Sequence, residues 1–336
     1  MTTRIGLAGY GFGGRIFHAP LIAAADGVEL AGVVTRSPER RAELERDHPG
    51  TPAFDSLADL AAAGVDAVAI STPADTHVPL MLEAIALGLA VVSDKPFALD
   101  AAQAREAVAA AEAAGVLLSV YQNRRWDSDL LTVRRLLDDG TLGEVTLFES
   151  AFERFAAGQP VPAAGAGILR DFGSHLVDQA LLLFGPVARV HGELEADGAL
   201  DERFFAVLEH RGGMTSHLSG DWVQGAPAPR FRVRGSAGAY VVWGMDGQEP
   251  ALIAGRSPAT EEWFHEPEER WGRLQRGEAS EPVPSERGRW DTFYPAFAAA
   301  VRGEGPVPVD PHDAIASLTV IDAIRTSAAQ RRSIEL

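Results

Sequence analysis

The chain has 336 residues, of which 46% are hydrophobic and 23% charged, a composition typical of a globular protein large enough for two domains. Its 30 basic and 47 acidic residues give a net charge of −17, which excludes the broad basic face that a nucleic-acid partner requires. The absence of cysteine excludes disulfides, thiolate metal sites and cysteine nucleophiles. Since we find neither a leader segment nor an apolar run of ~18 residues, we expect a cytoplasmic protein with no membrane partner.

Short apolar strands alternate with helical stretches over about the first 120 residues. The predicted strands are Ile5–Ala8, Val28–Thr35, Val65–Ser71, Leu89–Ser93 and Val116–Tyr121. The predicted helices are Arg15–Ala25, Pro38–Asp47, Asp75–Leu87 and Asp100–Ala114, with Asp75 and Asp100 as N-caps. This alternation predicts an α/β fold, namely a Rossmann-type doubly wound parallel sheet with right-handed crossovers.

After Trp126 the strands are separated mostly by turns, apart from a predicted helix at Ser128–Asp138. The predicted strands there are Glu144–Phe152, Val187–Leu194, Phe204–His210, Met214–Gly220, Arg230–Val233 and Tyr240–Trp243. This pattern favours an α+β domain with a mostly antiparallel open sheet. Residues 254–289 are predicted to be irregular, and Pro311–Arg331 is predicted to be a helix. We therefore predict a dinucleotide-binding Rossmann domain at 1–123 and a substrate-binding and oligomerisation domain at 124–336.

A glycine-rich turn, Gly-Tyr-Gly-Phe-Gly-Gly at residues 9–14, directly follows the first strand. In such a turn Gly9 allows the tight bend, Gly11 lets phosphates approach the backbone, and Gly14 lets the helix close on the sheet. Phe12 and Gly13 complete the loop, and the helix N-terminus offers N–H groups to the phosphates. The position of the loop predicts a dinucleotide site.

The second strand ends in Val-Thr-Arg-Ser at 34–37, where an NAD site normally has an acid ~20 residues beyond the glycines. Arg36 suits a 2′-phosphate, with Thr35 or Ser37 as donors and Arg40 close by. The sequence therefore favours NADP(H) over NAD(H). The alternative is that these arginines are the solvated start of a helix.

Lys95 follows shortly after the predicted strand Leu89–Ser93, at the edge where an open α/β sheet binds its ligands. A lysine there donates to a substrate oxygen and its charge favours a developing alkoxide. The alternative is an ordinary surface lysine at a strand end.

Asp171 and His175 are the second chemical candidate. If a helix begins near Gly173, His175 lies in its first turn with Asp171 just before it, so that the carboxylate can orient a histidine base. One alternative makes Asp171 a helix cap and His175 an interior histidine. A metal site shared with Asp178 ranks lower, because three ligands on one turn leave an incomplete shell.

Several strings occur here in the order found in one enzyme family: the glycine loop, Ser71-Thr72-Pro73 with His77, Asp94-Lys95-Pro96, and Asp171 with His175. On these the chain resembles, over essentially its whole length, the Gfo/Idh/MocA oxidoreductases. Three further strings resemble the NADP-dependent scyllo-inositol dehydrogenase group of that family: Phe17–Pro20, Ser119–Asp127 and Gly244–Glu249.

The resemblance implies a role for each matching residue. Lys95, Asp171 and His175 would be catalytic: His175 exchanges the hydroxyl proton, Lys95 polarises the oxygen, and Asp171 orients His175. Ser71, Thr72, Pro73, His77 and Asp94 would line the cofactor site, with Asp94 in place of the family's usual Glu near the nicotinamide ribose. Asn123, Arg125 and Arg154 would face the substrate, and no metal is expected.

The expected reaction is hydride transfer between NADP(H) and a polyol or sugar, by a homodimer or homotetramer. The alternatives are a catalytically silent NADP-binding sensor and a redox-neutral sugar-processing enzyme that retains its cofactor. The chain departs from the family pattern in the Ala-, Gly- and Pro-rich segment Ala156–Ile168, at Arg170 and at Gln122. All three departures fall where the substrate is expected.

Overall fold

The computed structural model describes residues 2–197, 200–260 and 263–336. By their internal contacts these residues form two compact units. The first comprises the chain up to Asn123 together with Gln248–Trp263 and Arg289–Ile315, and the second comprises Arg124–Gly247, Phe264–Gly288 and Ala316–Leu336. Since two later segments group with the first unit, the second unit is not one continuous stretch of chain. The sequence-based division into residues 1–123 and 124–336 stays a prediction.

The first unit contains a six-stranded parallel sheet, and the apolar runs predicted five of its strands. Its strands are β1 (Thr3–Ala8), β2 (Val28–Val34), β3 (Ala53–Phe54), β4 (Ala67–Ile70), β5 (Ala90–Ser93) and β6 (Leu118–Val120). They are ordered β3-β2-β1-β4-β5-β6, the doubly wound order in which the direction of winding reverses between β1 and β4. β4 and β5 are buried throughout, as expected for strands covered on both faces.

The helices that cover this sheet are α1 (Ala19–Ala24), α2 (Pro38–Asp47), α3 (Leu57–Ala62), α4 (His77–Ala86) and α5 (Ala101–Ala114). Asp100 caps α5 by accepting from the Gln103 N–H at 2.8 Å, which confirms that predicted cap. Asp75 is not a cap, because it lies inside a separate 3₁₀ turn, Ala74–Thr76, that precedes α4. The short elements β3 and α3 were not predicted.

The chain between residues 124 and 242 forms most of a second, mixed sheet. Its elements are α6 (Ser128–Asp138), β7 (Val145–Glu153), α7 (Ile168–Phe184), β8 (Val187–Asp197), β9 (Leu200–His210), β10 (Thr215–Asp221), β11 (Phe231–Gly235) and β12 (Gly238–Val242). α7 packs on β7, β9 and β10. Every described pairing in this sheet is antiparallel except that of β7 with β10, so the predicted fold class is confirmed.

The rest of the chain adds α8 (Gln248–Ile253), β13 (Arg273–Arg276), β14 (Ala279–Pro282), α9 (Phe293–Val301), α10 (Pro311–Gln330) and β15 (Ile334–Glu335). The predicted irregular segment 254–289 is therefore wrong in part, because β13 and β14 form a hairpin within it. No helix in the described part of the chain combines the length and the apolar character that crossing a membrane requires.

The second unit contains a buried arginine, Arg230, whose side chain is 1% exposed. Its guanidinium donates to Ser150 Oγ and Gln179 Oε1, each at 2.7 Å, and its Nε lies 3.5 Å from Asp129 Oδ2. Burial lowers the pKa of Arg230 and raises that of Asp129, and the attraction between the two opposes both shifts. These groups are buried away from water. The pair stays charged because each partner gives the other the electrostatic stabilisation that water would otherwise provide.

We predict that Arg230→Met lowers the free energy of unfolding by about 3–5 kcal/mol, because it leaves a buried carboxylate without its cation. Urea denaturation measures the change. Arg232→Met is the matched control: Arg232 lies two residues further on, is 53% exposed and pairs with Glu149, so its loss costs less than about 1 kcal/mol. Equal losses in the two variants would contradict the assignment.

Candidate functional site

The glycine turn after β1 contains glycines of two kinds. Gly9 has φ +96°, and a Cβ there would lie 2.3 Å from the Ser71 carbonyl oxygen; a Cβ on Gly14 would lie 2.2 Å from the Gly9 oxygen. These two positions must be glycine for the chain to fold locally. A Cβ on Gly11 would meet nothing within 4 Å. The internal packing therefore does not require glycine at position 11, whereas a ligand lying against the bare backbone does.

The segment that follows the turn is a π-helical turn, Gly14–His18, which runs directly into α1 with Pro20 in its first turn. A π turn holds one residue more than an α turn and is frequent at functional sites. Here Arg15 donates from Nε to Asp47 at 2.6 Å and from an Nη to Glu43 at 3.1 Å, both on α2. His18, at the end of the turn, is fully buried.

The Asp94 carboxylate lies at the carboxyl end of β5, beside the glycine turn. Oδ1 accepts from the Lys95 N–H at 2.7 Å, Oδ2 accepts from Ser71 Oγ at 2.9 Å, and His18 Nε2 lies 3.2 Å from Oδ2. A Cβ on Gly13 would lie 2.6 Å from Ser71 Oγ and 3.1 Å from Oδ2, so the turn touches this group. Burial alone would raise the pKa of Asp94, but His18, Lys95 and His77 lower it to about 2.

His77 connects the loops that follow β4 and β5. Its ring nitrogens lie 2.8 Å from the backbone oxygens of Pro96 and Thr72, and the ring is buried. Thr72 also contacts Thr76 through their hydroxyls at 2.6 Å. His77 therefore fixes the loop that contains Thr72 and Pro73, which are the residues expected along the cofactor groove.

The arginines after β2 differ in the hydrogen bonds and ion pairs that their guanidinium groups make. Arg40 donates to Glu43 at 3.0 Å, and Arg41 donates to the Thr35 oxygen at 3.0 Å and to Asp55 at 2.7 Å. Arg36 is exposed, and within residues 2–197, 200–260 and 263–336 no hydrogen bond or ion pair of its guanidinium is found. Ser37 caps α2, accepting from the Arg40 N–H at 3.2 Å.

Asp171 and His175 lie on α7, which begins at Ile168 rather than near Gly173. Asp171 is thus inside the first turn and not a cap, and His175 follows it by four residues on the same face. Gly173 does not mark a helix start: a Cβ there would lie 3.0 Å from Leu169 and 3.2 Å from Phe204, so the residue allows close packing on β9. His175 is 3% exposed.

The aromatic surroundings of His175 include a predicted substrate residue. The rings of Phe152 and Phe172 stack at 4.0 Å, and Phe152 also stacks with His175 at 6.3 Å. The Arg154 guanidinium lies over both phenylalanines, at 5.6 and 5.7 Å. Arg154, Asp171 and His175 therefore belong to one neighbourhood of the second unit.

The other two predicted substrate residues lie in the 3₁₀ turn Asn123–Trp126. Asn123 is 7% exposed, and Arg125 donates twice to Asp178, at 2.8 and 2.6 Å. Asp178 is therefore bound by a guanidinium and is not available as a metal ligand alongside Asp171 and His175. Across the part of the chain that the structure describes, no three His, Cys, Asp or Glu side chains are grouped so as to hold a metal.

From the sequence, His18 was identified only as part of the string Phe17–Pro20, with no role of its own, and Tyr294 was not identified. Tyr294, on α9, is fully buried, and its hydroxyl lies 2.5 Å from His18 Nδ1. A signal for His18 was present, since it is a lone polar residue between Phe17 and Ala19 shortly after the glycine turn. No comparable signal marks Tyr294, because 276 residues separate it from its partner.

Comparison with known proteins agrees with this geometry. The family described as "Oxidoreductase family, NAD-binding Rossmann fold" matches residues 3–122, and "GFO/IDH/MocA C-terminal domain" matches residues 130–241. A Bacillus subtilis scyllo-inositol 2-dehydrogenase (NADP(+)), IolW, is 31% identical over all of this chain and 96% of its own length. The chain belongs to the Gfo/Idh/MocA family of oxidoreductases.

Two further relatives support this membership. The uncharacterised Escherichia coli oxidoreductase YdgJ is 37% identical over 98% of both chains. A solved structure of the oxidoreductase yvaA from Bacillus subtilis has a TM-score of 0.93 and 31% identity, and the match covers 100% of this chain and 99% of that one. This Gfo/Idh/MocA protein is accordingly an NAD(P)-dependent dehydrogenase acting on CH–OH groups. The open backbone at Gly11 fits a dinucleotide pyrophosphate.

We predict that Gly11→Ala leaves the free energy of unfolding unchanged or raises it by up to about 1 kcal/mol, since the methyl group meets nothing and the unfolded chain loses entropy. The same variant binds NADPH at least about tenfold more weakly, because the methyl group lies where the phosphates approach the backbone. Thermal unfolding and NADPH fluorescence titration measure the two effects. Gly305→Ala, at another open glycine of the first unit, should change neither. Unaltered NADPH affinity in Gly11→Ala would disprove the phosphate site.

Proposed function

We propose that this dehydrogenase transfers hydride between NADP(H) and a secondary alcohol or carbonyl of a polyol or sugar of the inositol class. The observation that carries the cofactor preference is the exposed guanidinium of Arg36 at the carboxyl end of β2. A site for NAD would need an acid there to accept from the ribose 2′-hydroxyl, whereas an arginine fork donates to a 2′-phosphate. The IolW relative, an NADP(+)-dependent scyllo-inositol 2-dehydrogenase, supports the same choice.

The proposed cofactor-binding residues contact different parts of the dinucleotide. The amides at Gly11, Phe12 and Gly13 would meet the pyrophosphate, and Arg36 would bind the 2′-phosphate, with Arg40 and Thr35 beside it. Ser37 caps α2 and so positions that end of the site. Ser71, Thr72, Pro73 and Asp94, at the ends of β4 and β5, would line the nicotinamide-ribose end, with His77 behind them.

The proposed chemistry divides the two hydrogens that leave the alcohol. When bound, the nicotinamide supplies the acceptor for one hydrogen together with two electrons, as a hydride. His175 would take the other, the hydroxyl proton, and return it in the reduction direction. Asp171, one helical turn before it, would orient the imidazole and favour its protonated form. The Lys95 ammonium, which follows β5, would stabilise negative charge that develops on a substrate oxygen.

The substrate side rests on Arg154 and Asn123. Arg154 lies over the Phe152 and Phe172 rings beside His175, which places a fork of donors next to an apolar surface. Sugar and polyol sites combine these two features, because pyranose and cyclohexane faces are apolar and their rims carry hydroxyls. Arg125 is the weaker candidate, since two of its five N–H groups already donate to Asp178. A homodimer or homotetramer in the cytoplasm remains our proposal for the assembly and its location.

We expect NADP⁺ to bind more tightly than NAD⁺, and Arg36→Ala to weaken NADP⁺ by about ten- to a hundredfold, the effect of losing hydrogen bonds to a charged group. NAD⁺ affinity should not fall, because it has no 2′-phosphate. Calorimetric titration of both cofactors measures this. Arg46→Ala, at a 62% exposed arginine on α2, is the control and should leave both affinities unchanged. Tighter NAD⁺ binding by the unaltered protein would rule out the preference.

We expect His175→Ala to lower kcat by about 10²–10⁴, the usual contribution of a general base, with NADPH affinity retained. Steady-state assays on inositols, aldoses and small ketones, followed by NADPH absorbance, test this and identify the substrate class. His191→Ala, at a 41% exposed histidine on β8, serves as the control. Unchanged kcat in His175→Ala would remove this residue from the mechanism. Substrate turnover without any net absorbance change would instead favour the redox-neutral alternative.

A further inference from the structure

His18 is a buried histidine that the proposed mechanism does not use. It lies at the end of the π turn with its ring 4.3 Å from that of Tyr121, its Nδ1 2.5 Å from Tyr294 Oη, and its Nε2 3.2 Å from Asp94 Oδ2. These are the titratable groups that face the ring directly, and Lys95 and His77 act on Asp94 beyond them. His18 is fully buried between a phenol and a carboxylate, so both of its ring nitrogens face protein groups and not a substrate.

The phenol fixes which nitrogen of His18 carries the proton. Burial, with Tyr121 and Asp94 nearby, raises the pKa of Tyr294, so its hydroxyl stays protonated. Among the described residues the hydrogen-bond partner of this hydroxyl is His18 Nδ1, and a buried hydroxyl donates where it has an acceptor. With Tyr294 donating to Nδ1, Nε2 is the nitrogen whose proton faces Asp94.

Most hydrogen-bond acceptor positions of the Asp94 carboxylate then face a donor. An ionised carboxylate has about four acceptor positions, two on each oxygen. On Oδ2, Ser71 Oγ uses one position at 2.9 Å, and His18 Nε2 faces the same oxygen at 3.2 Å; on Oδ1 the Lys95 N–H uses one. One acceptor position on Oδ1 is left among the described contacts. The side chain is 16% exposed, so a ligand hydroxyl can reach it.

We propose that His18, held by Tyr294, is a positioning residue that orients the Asp94 carboxylate to accept a hydrogen bond from a nicotinamide-ribose hydroxyl. This inference rests on the proposed function, because it needs a bound dinucleotide. Because His18 Nε2 faces Oδ2, the carboxylate is oriented with Oδ1 available to the cofactor. The π turn that places His18 begins at Gly14, so the segment that binds the pyrophosphate also positions the group for the ribose.

The test compares NADPH dissociation constants, measured by fluorescence titration, for His18→Leu, His18→Gln, Tyr294→Phe and the double variant of His18→Leu with Tyr294→Phe. His18→Leu should weaken NADPH by about ten- to a hundredfold, the loss expected for a donor to a charged group. Gln, whose amide nitrogen can replace Nε2 as donor, should recover part of this. Since Tyr294 acts only through His18, the double variant should bind no more weakly than His18→Leu alone.

Two controls separate positioning from loss of structure. His210→Leu removes another buried histidine whose ring nitrogens are both bonded, and Tyr240→Phe removes another buried phenol hydroxyl. Both lie in the second unit and should leave NADPH affinity unchanged. If His18→Leu does not fold, as judged by circular dichroism, the Gln and Phe variants make the same comparison. Native affinity in His18→Leu and Tyr294→Phe, or fully additive losses, would overturn the proposal.

The pH profile of NADPH binding gives a readout that a purely structural role would not move. His18 is one of the groups that keep the Asp94 pKa low, so its loss raises that pKa while Lys95 and His77 still oppose the rise. Binding that needs the carboxylate should then fail at a higher pH in His18→Leu than in the unaltered protein. An acid limb that stays in place would contradict the inference. If the unaltered protein binds neither NADPH nor NADH, the proposed function itself fails.

Discussion

The close contact between Gly14 and the Gly9 carbonyl is the constraint on which the cofactor side of this molecule depends. With a Cβ on Gly14 only 2.2 Å from that oxygen, no other residue allows the chain to turn back so tightly after β1. The π turn that follows contains Arg15, which donates to Asp47 on α2. It also contains His18, whose Nε2 faces the Asp94 carboxylate. One steric requirement thus sets the position of α2 and of the carboxylate at the end of β5.

The pKa values of buried carboxylates are shifted in opposite directions in the two units. In the first, donors around Asp94 lower its pKa and keep it ionised close to solvent. In the second unit, burial raises the pKa of Asp127 and Asp129. These carboxylates lie beside the guanidinium groups of Arg124 and Arg230. Shifted pKa values alone would have indicated a functional site at the Asp127, Asp129, Arg124 and Arg230 cluster, yet that cluster is structural. Access of a ligand to the group, and not the size of the shift, separates a site from a structural ion pair here.

The fold could be predicted wherever one local pattern was enough. Apolar runs located the parallel strands, and Ser37-Pro38 gave the start of α2 at the observed residue. The start of α7 was misplaced because Gly173 was interpreted as a helix boundary, whereas it serves packing against Phe204. The β13–β14 hairpin was missed because β14 is exposed throughout and has no apolar alternation. The His18–Tyr294 contact joins residues 276 apart, and no local pattern encodes it.

Arg36 differs from its neighbours in a way that affects how the protein can change. Arg15, Arg40 and Arg41 each hold a carboxylate or a backbone oxygen, and Ser37 caps the helix between them. Arg36 has no such internal task among the described residues, so replacing it leaves the framework of α2 intact. On the role proposed for Arg36, single substitutions at this position would alter the discrimination between phosphorylated and unphosphorylated dinucleotides, whereas the buried groups around Asp94 can change only together.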